Sequence, residues 1–358
     1  MPAARRRPSF VSIIVLALIG LVLSSGCASN RVTDTSYYDS PRSVSAREYG
    51  YVRPAADVRV IGRGGAIAAT GDGSDLWDRV RRGRTLGIPA DGRVDRALQA
   101  LKRNPQYLTG LSRRARPYLH MIVGELERAG MPAELALLPE IESRYNPRAV
   151  SHMSATGMWQ FMPYTGKEMG LKQNSWYDGR NDILASTRGA IAYLRLLNEE
   201  FDGDWALTLA AYNAGPARIR AAQQSNKARG KPTDFWSLSL PSETEHYVPK
   251  LLAVAALVRD PARHGLSMPR IENQPRLEVV ESRRQIDLAR AAHICRVPIA
   301  TLRDLNPGLK LGKTLPDGPH RIIVPAGAGA KLRTALVKSG DLAGPAVAAR
   351  DGAGRRDG

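Results

Sequence analysis

The chain has 358 residues, 43% of them hydrophobic, which suffices for one large domain or two modest ones and excludes wholesale disorder. Lys and Arg number 52 against 34 Asp and Glu, a formal net charge of +18. That excess suits polyanions or anionic surfaces: nucleic acid, phospholipid, a carboxylate-bearing polymer or a merely solvated surface all remain open. Two cysteines, Cys27 and Cys295, exclude a disulfide framework, and the six histidines show no paired ligand spacing, so no metal and no cofactor is expected.

In chain order, Arg5, Arg6 and Arg7 precede an apolar run over residues 10–23, interrupted only by Ser12 and Gly20. A spanning helix needs roughly 20 such residues, so the run suits the apolar centre of a secretory signal. Ser24, Ser25 and Gly26 then lead to Cys27. This stretch resembles the lipobox of bacterial lipoproteins, although its large apolar residue, Leu23, stands four places before the cysteine rather than three. The resemblance implies a signal peptide over 1–26, lipidation at Cys27, and anchorage to a membrane facing the periplasm. Ala28 and Ser29 follow the cysteine with no Asp, which points to the outer membrane of a Gram-negative bacterium. Residues 27–74 are rich in Ser, Arg, Gly and Asp without sustained periodicity and read as a flexible tether.

From Asp75 the pattern turns helical. Apolar residues recur at helical spacing over 76–82, 94–103 and 113–129, with Tyr118, Ile122 and Leu126 on one face. Gly130 and Pro132 punctuate the next start, and 134–143 reads as a helix ended by Pro147. A Ser, Gly and Met-rich loop occupies 151–165. An amphipathic helix follows over 182–201, then one over 205–213 capped by Asp204. Gly215-Pro216 closes that helix and opens the next, and 247–259 is apolar and helical. Beyond Pro261, segments 277–280 and 321–324 are strand-like and flank helical stretches at 286–293 and 299–305. Residues 327–358, rich in Ala, Gly and Arg, are expected to be disordered.

Two carboxylates, Glu140 and Glu142, stand among Leu135, Leu137, Leu138 and Ile141. Positions two apart on a helix point in different directions, so at most one faces a given pocket. A carboxyl beside apolar side chains resists ionisation and can act as an acid near neutral pH. The same pattern also fits two solvated residues on an amphipathic helix.

Leu137-Leu138-Pro139, Glu142-Ser143, Ser151 and the run Gly157-Met158-Trp159-Gln160-Phe161-Met162-Pro163 resemble the catalytic core of the lytic transglycosylases, the transglycosylase SLT-domain family. Ala210-Ala211-Tyr212-Asn213-Ala214-Gly215 is similar to its second signature, and Leu240-Pro241-Ser242-Glu243-Thr244 with Tyr247-Val248-Pro249-Lys250 to its third. The intervening 177–182 and 201–205 segments point to one membrane-bound branch of that family.

The resemblance implies a mainly α fold: a lysozyme-like helical catalytic domain over 75–262, with its motif core at 129–225. It implies that Glu142 is the catalytic acid and base, with Glu140 as its rival. Ser151 and Gln160 would hold the sugar's N-acetyl group and hydroxyls, and Met162 would line the cleft. Tyr212 and Asn213 would stand beside the carboxyl, the Tyr212 hydroxyl close to it, with Glu243 and Tyr247 on the other wall. Trp159, Trp176 and Trp205 suit packing and sugar stacking equally. The implied reaction cuts the bond between N-acetylmuramic acid and N-acetylglucosamine without water, leaving 1,6-anhydro ends. Peptidoglycan is then the partner, and nucleic acid is not. A hydrolytic muramidase on the same fold and a non-catalytic wall-binding lipoprotein are the alternatives. Residues 276–326 resemble a divergent LysM-type βααβ module, carried by Leu302, Leu305-Asn306-Pro307 and 321–325. Whether that module grips glycan or is a structural appendage stays open.

Overall fold

The computed structural model describes residues 74–341; the signal stretch, Cys27, the expected tether as far as residue 73 and residues 342–358 lie outside the described residues. The first helices are α1 (Leu76–Arg82), α2 (Gly92–Lys102), α3 (Tyr107–Ala115) and α4 (Leu119–Arg128). Asp75 and Asp91 cap α1 and α2 by accepting backbone N–H groups that a helix start leaves unpaired. Trp77 is fully buried, and its indole donates to Ser112 Oγ at 3.2 Å, so its large apolar body costs no stranded donor.

Two expected helices are interrupted. The stretch expected to run through 113–129 breaks between α3 and α4, because Pro117 has no N–H to offer the carbonyl four residues back. The expected 134–143 helix begins as a tight 3-10 turn over Ala133–Leu137 and becomes α-helical only in α5 (Leu138–Glu142). Pro139 cannot continue the preceding ladder but suits the first turn of a new helix. Past α5, Arg144 and Tyr145 adopt left-handed conformations, with φ of 55° and 59°, and swing the chain into the loop before α6 (Pro163–Glu168).

The long α7 (Ile183–Glu200) is capped by Asp182, and α8 (Trp205–Ala214) by Asp204, as their sequence punctuation implies. Gly215, at φ 85°, turns the chain from α8 into α9 (Pro216–Lys227). The long α10 (Ser242–Arg259) packs against α2, α5 and α8 and buries nearly every side chain from Tyr247 to Val258. No helix among the described residues is long and apolar enough to cross a membrane.

The C-terminal part is β1 (Leu277–Glu281), α11 (Leu288–Cys295), α12 (Ile299–Leu305) and β2 (Arg321–Pro325). The strands pair antiparallel, with Val279 opposite Ile323. Their alternation divides two cores: Val280, Ile322 and Val324 face α11 and α12, whereas Leu277 and Ile323 join the core of the helical domain. Asn306 secures β2 from the side, accepting from the Ile323 N–H at 2.7 Å and donating to its carbonyl at 2.7 Å. The expectation of disorder from 327 onward needs correction. A further helix, α13 (Gly329–Lys338), buries Leu332 in the small core that also holds Ile286, Ala291 and Cys295. The Ala and Gly content that suggested disorder hides a single apolar stripe, Leu332 and Leu336, one turn apart.

Candidate active site

Glu142 is the last residue of α5, and Ser143 beyond it donates its hydroxyl to the Met158 carbonyl at 2.8 Å, tying that helix end to the following loop. Opposite, the Tyr247 hydroxyl of α10 donates to Glu142 Oε1. The residue as a whole is half-buried, while protein groups crowd its carboxyl. That enclosure pushes its pKa up to about 7, chiefly because burial disfavours the charged form. The Tyr247 hydrogen bond and Lys250 pull it back, and the charge on Glu243 adds to the rise. A carboxyl so poised is half protonated near neutrality, as a group that must give and then take a proton requires.

Glu140 faces away, as two positions along a short helix dictate. It is buried and held by the Arg114 guanidinium through two hydrogen bonds. The rival for the acid role is therefore committed to an ion pair in the core.

Tyr212 stands close to the Glu142 carboxyl without bonding to it. Its hydroxyl donates to the Trp159 carbonyl at 2.9 Å, and Tyr247 is the phenol bonded to Glu142. Glu142 is still close enough for its charge to raise the Tyr212 phenol, after burial, well above its ordinary value. The Tyr212 ring also packs on Tyr193, centroids 5.6 Å apart. Asn213, the next residue on α8, donates to Glu243 at 3.2 Å and accepts from Thr244 Oγ1 at 2.8 Å, so the Ala-Tyr-Asn motif and the start of α10 are joined. The buried Thr244 was given no role in sequence, although it stands in the third signature beside Glu243.

The loop between α5 and α6 carries the remaining candidates. Ser151 Oγ accepts from the Ala155 N–H at 3.0 Å, and the Gln160 amide donates to the Gly157 carbonyl at 2.8 Å. Both polar groups thus brace the loop's own backbone. Gln160 sits at φ 49°, and Met162 is 38% exposed at the loop's end. Gly157 has no room for a side chain: a Cβ would lie 1.9 Å from the Arg180 carbonyl oxygen. Arg180, which sequence reasoning missed, is buried, grips Asp178 and donates to the carbonyls of Ser154 at 2.9 Å and Phe161 at 3.3 Å. Trp159 is fully buried with its indole on Thr187, a packing role. A mostly apolar hollow of about 400 Å³ opens elsewhere, between Ile88, Pro89, Trp205, Trp236 and Val248; its one carboxylate is the capping Asp204, and acid chemistry belongs to the Glu142 site instead.

Comparison with known proteins shows the family. The chain is 38% identical over 328 residues to membrane-bound lytic murein transglycosylase D of Escherichia coli K12, covering 91% of this chain and 71% of that protein. The chain belongs to the membrane-bound lytic murein transglycosylase D family. Residues 121–235 match the transglycosylase SLT domain, and residues 276–340 match the LysM-like domain of lytic transglycosylase MltD, so the domain model extends across α13. The soluble lytic murein transglycosylase of Escherichia coli K12 is 32% identical over 123 residues, 33% of this chain and 19% of its own. The solved structure of lytic transglycosylase Slt from Pseudomonas aeruginosa aligns with a TM-score of 0.33 at 25% identity, covering 43% of this chain and 25% of that one.

Proposed function

We propose that Glu142 is the single carboxyl through which this chain, a peptidoglycan lytic transglycosylase and hence a lyase, cuts its glycan strands. Ordinary glycosidases place two carboxyls about 5–5.5 Å apart for retention or about 6.5–9.5 Å apart for inversion. Here one enclosed carboxyl does both proton transfers. The protonated Glu142 gives its proton to the glycosidic oxygen between N-acetylmuramic acid and N-acetylglucosamine, and the bond to the muramic C1 breaks. The muramic 2-acetamido group stabilises the positive C1. The Glu142 carboxylate then takes the proton of the muramic C6 hydroxyl as that oxygen attacks C1. The product is a 1,6-anhydro ring, no water is consumed, and Glu142 ends protonated as it began.

The observation that carries this reading is a carboxyl enclosed at the end of α5 under the Tyr247 hydroxyl, a setting that raises its pKa to about 7. Tyr247 fixes the carboxyl's orientation and steadies the carboxylate that forms midway. Ser151, Gln160, Met162, Tyr212, Asn213 and Glu243 supply the surrounding cleft in this proposal. Mass spectrometry of walls digested by wild type and Glu142→Gln is the test. Anhydro-muramyl ends from the first and none from the second support the reading; unabated cleavage by the variant, or reducing ends that have gained water, refute it.

Attachment is part of the proposal: acyl chains on Cys27 hold the enzyme to a membrane, in the outer membrane's periplasmic leaflet. Each buried methylene contributes about 0.8 kcal/mol. Cys27→Ser is then expected to appear in the soluble fraction after cell breakage, and a variant that stays with the outer membrane overturns the anchor.

A further inference from the structure

The LysM-like part does not hang from the helical domain by a single connection. Along one seam, backbone meets backbone: the Asp178 N–H donates to the Gly308 carbonyl at 2.9 Å, the Lys310 N–H donates to the Trp176 carbonyl at 2.9 Å, and Tyr177 and Leu309 form an antiparallel bridge. A Cβ on Gly308 would stand 2.8 Å from the Asp178 carbonyl oxygen, so the approach depends on a glycine. Lys310 Nζ reaches the Asn174 carbonyl at 2.7 Å, and Arg148 reaches the Arg303 carbonyl at 2.6 Å. On the apolar side, Leu277 and Ile323 are part of the helical domain's core.

At the centre of the seam, Arg321 of β2 donates to both oxygens of Asp182, at 3.2 and 3.1 Å, with both side chains about 85% covered. Tyr177 donates its hydroxyl to the same carboxylate at 2.8 Å. Asp182 is no passive acceptor. It caps α7, and it ends the 178–182 segment whose neighbouring side chains fasten the active-site loop. Asn181 donates to the Pro147 carbonyl at 2.8 Å, and Arg180 holds the carbonyls of Ser154 and Phe161. The loop so held carries Met158, to which the residue after Glu142 is bonded, and Trp159, to which Tyr212 is bonded. Every link from β2 to the carboxyl's surroundings is thus a direct hydrogen bond or a chain neighbour.

We propose that the C-terminal module is a brace for the catalytic loop and that Arg321 is a positioning residue for the cleavage, acting through Asp182 and the 178–182 segment. This rests on the reading of Glu142 as the reacting carboxyl. A separately swinging glycan grip would need none of these contacts. Small displacements of a reacting group are costly in rate, so the brace predicts a catalytic effect from a residue that touches no sugar.

The test uses the full chain. Arg321→Met keeps bulk and removes the charge; Arg321→Lys keeps the charge and loses the planar fork. Gly308→Ala wedges the seam apart without altering charge, and Arg290→Ala, exposed on α11, is the control. Two quantities are read: kcat and KM on solubilised, stem-free glycan strands, and hydrogen exchange at amides 148–161. Arg321→Met and Gly308→Ala are expected to lower kcat about tenfold to a hundredfold with KM within about twofold of wild type. Exchange in 148–161 rises while the amides of α10 keep their protection, Arg321→Lys recovers part of both effects, and Arg290→Ala matches wild type. A raised KM at unchanged kcat makes the module a grip and overturns the brace, as does unaltered loop exchange. Exchange needs no turnover, so a wild type that fails to cut strands refutes the proposed function while the loop's protection still decides for or against the brace.

Discussion

The hydrogen bond from Tyr247 favours the ionised form of Glu142, whereas burial favours the neutral one, and burial wins by enough to bring the carboxyl to about pKa 7. The first step needs the protonated form, so kcat/KM falls as pH rises through about 7. Removing the phenol in Tyr247→Phe takes away a force that lowers the pKa. The alkaline limb then moves upward by about one to two pH units, because a hydrogen bond to a charged group contributes about 1.5–3 kcal/mol. The midway carboxylate loses the same support, so kcat drops although more of the enzyme is protonated. A pH–rate profile checks both; a limb moving downward contradicts the assigned partnership. Glu140 predicts the opposite kind of change. Glu140→Gln strands the Arg114 guanidinium in a buried setting, at a cost of about 3–5 kcal/mol, while the turnover of molecules that remain folded is kept. Denaturant melts beside active-site titration separate the two effects. In sequence, apolar spacing left Glu140 and Glu142 equal, and only the resemblance carried by the Glu-Ser pair singled out Glu142 for the proposed role. Which phenol reaches it was not legible there: Tyr212 and Tyr247 lie on different helices, and the packing of α8 against α10 decides that only Tyr247 bonds to the carboxylate.

Helices whose ends carry an Asp cap or a Gly-Pro pair, such as α7, α8 and α9, have boundaries that sequence alone supplies within a residue or two, because capping chemistry is local. Periodicity fares worse where proline intervenes. Apolar spacing continues past Pro117 and Pro139, so the face stays right while the ladder breaks, and α3–α4 and the 3-10 turn before α5 are the result. The last helix failed for the reverse reason: α13 has good spacing but so little apolar content that only a neighbouring core makes it worth forming. That core gives the helix a measurable anchor. Leu332 is almost wholly buried among Ile286, Ala291 and Cys295, and truncation to Ala removes its methyl groups and leaves a void. Leu332→Ala is expected to destabilise this module by about 2–4 kcal/mol. Exchange should accelerate over α11 and α13 first. Protection in α11 unchanged from wild type would mean that α13 is an ornament and not part of the fold.

At the scale of the molecule, the excess of basic residues, 52 against 34 acidic ones, has little counterpart at the proposed reacting carboxyl, whose hydrogen-bond partner is a neutral phenol and whose one cationic influence is Lys250. Several arginines are already spent inside the fold: Arg114 on Glu140, Arg180 on Asp178, Arg321 on Asp182. Others, including Arg144, Arg148 and Arg303, are exposed along the side of the molecule that joins the end of α5 to α12. Cell-wall stem peptides carry free carboxylates, and a polycationic surface holds such a polymer by long-range attraction that salt screens, with a Debye length of about 10 Å at 0.1 M and about 3 Å at 1 M. The attraction acts on capture and not on the bond being broken. Retention of the enzyme on intact walls should therefore fall steeply as salt is raised from about 0.1 to about 1 M, while kcat on short stem-free strands changes little over the same range. Co-sedimentation with purified walls measures the first and product release the second. Salt-independent retention would assign wall capture to short-range sugar contacts, and a kcat that falls in parallel would place the surface charge in the chemical step, where Lys250 is the one basic residue that acts on Glu142.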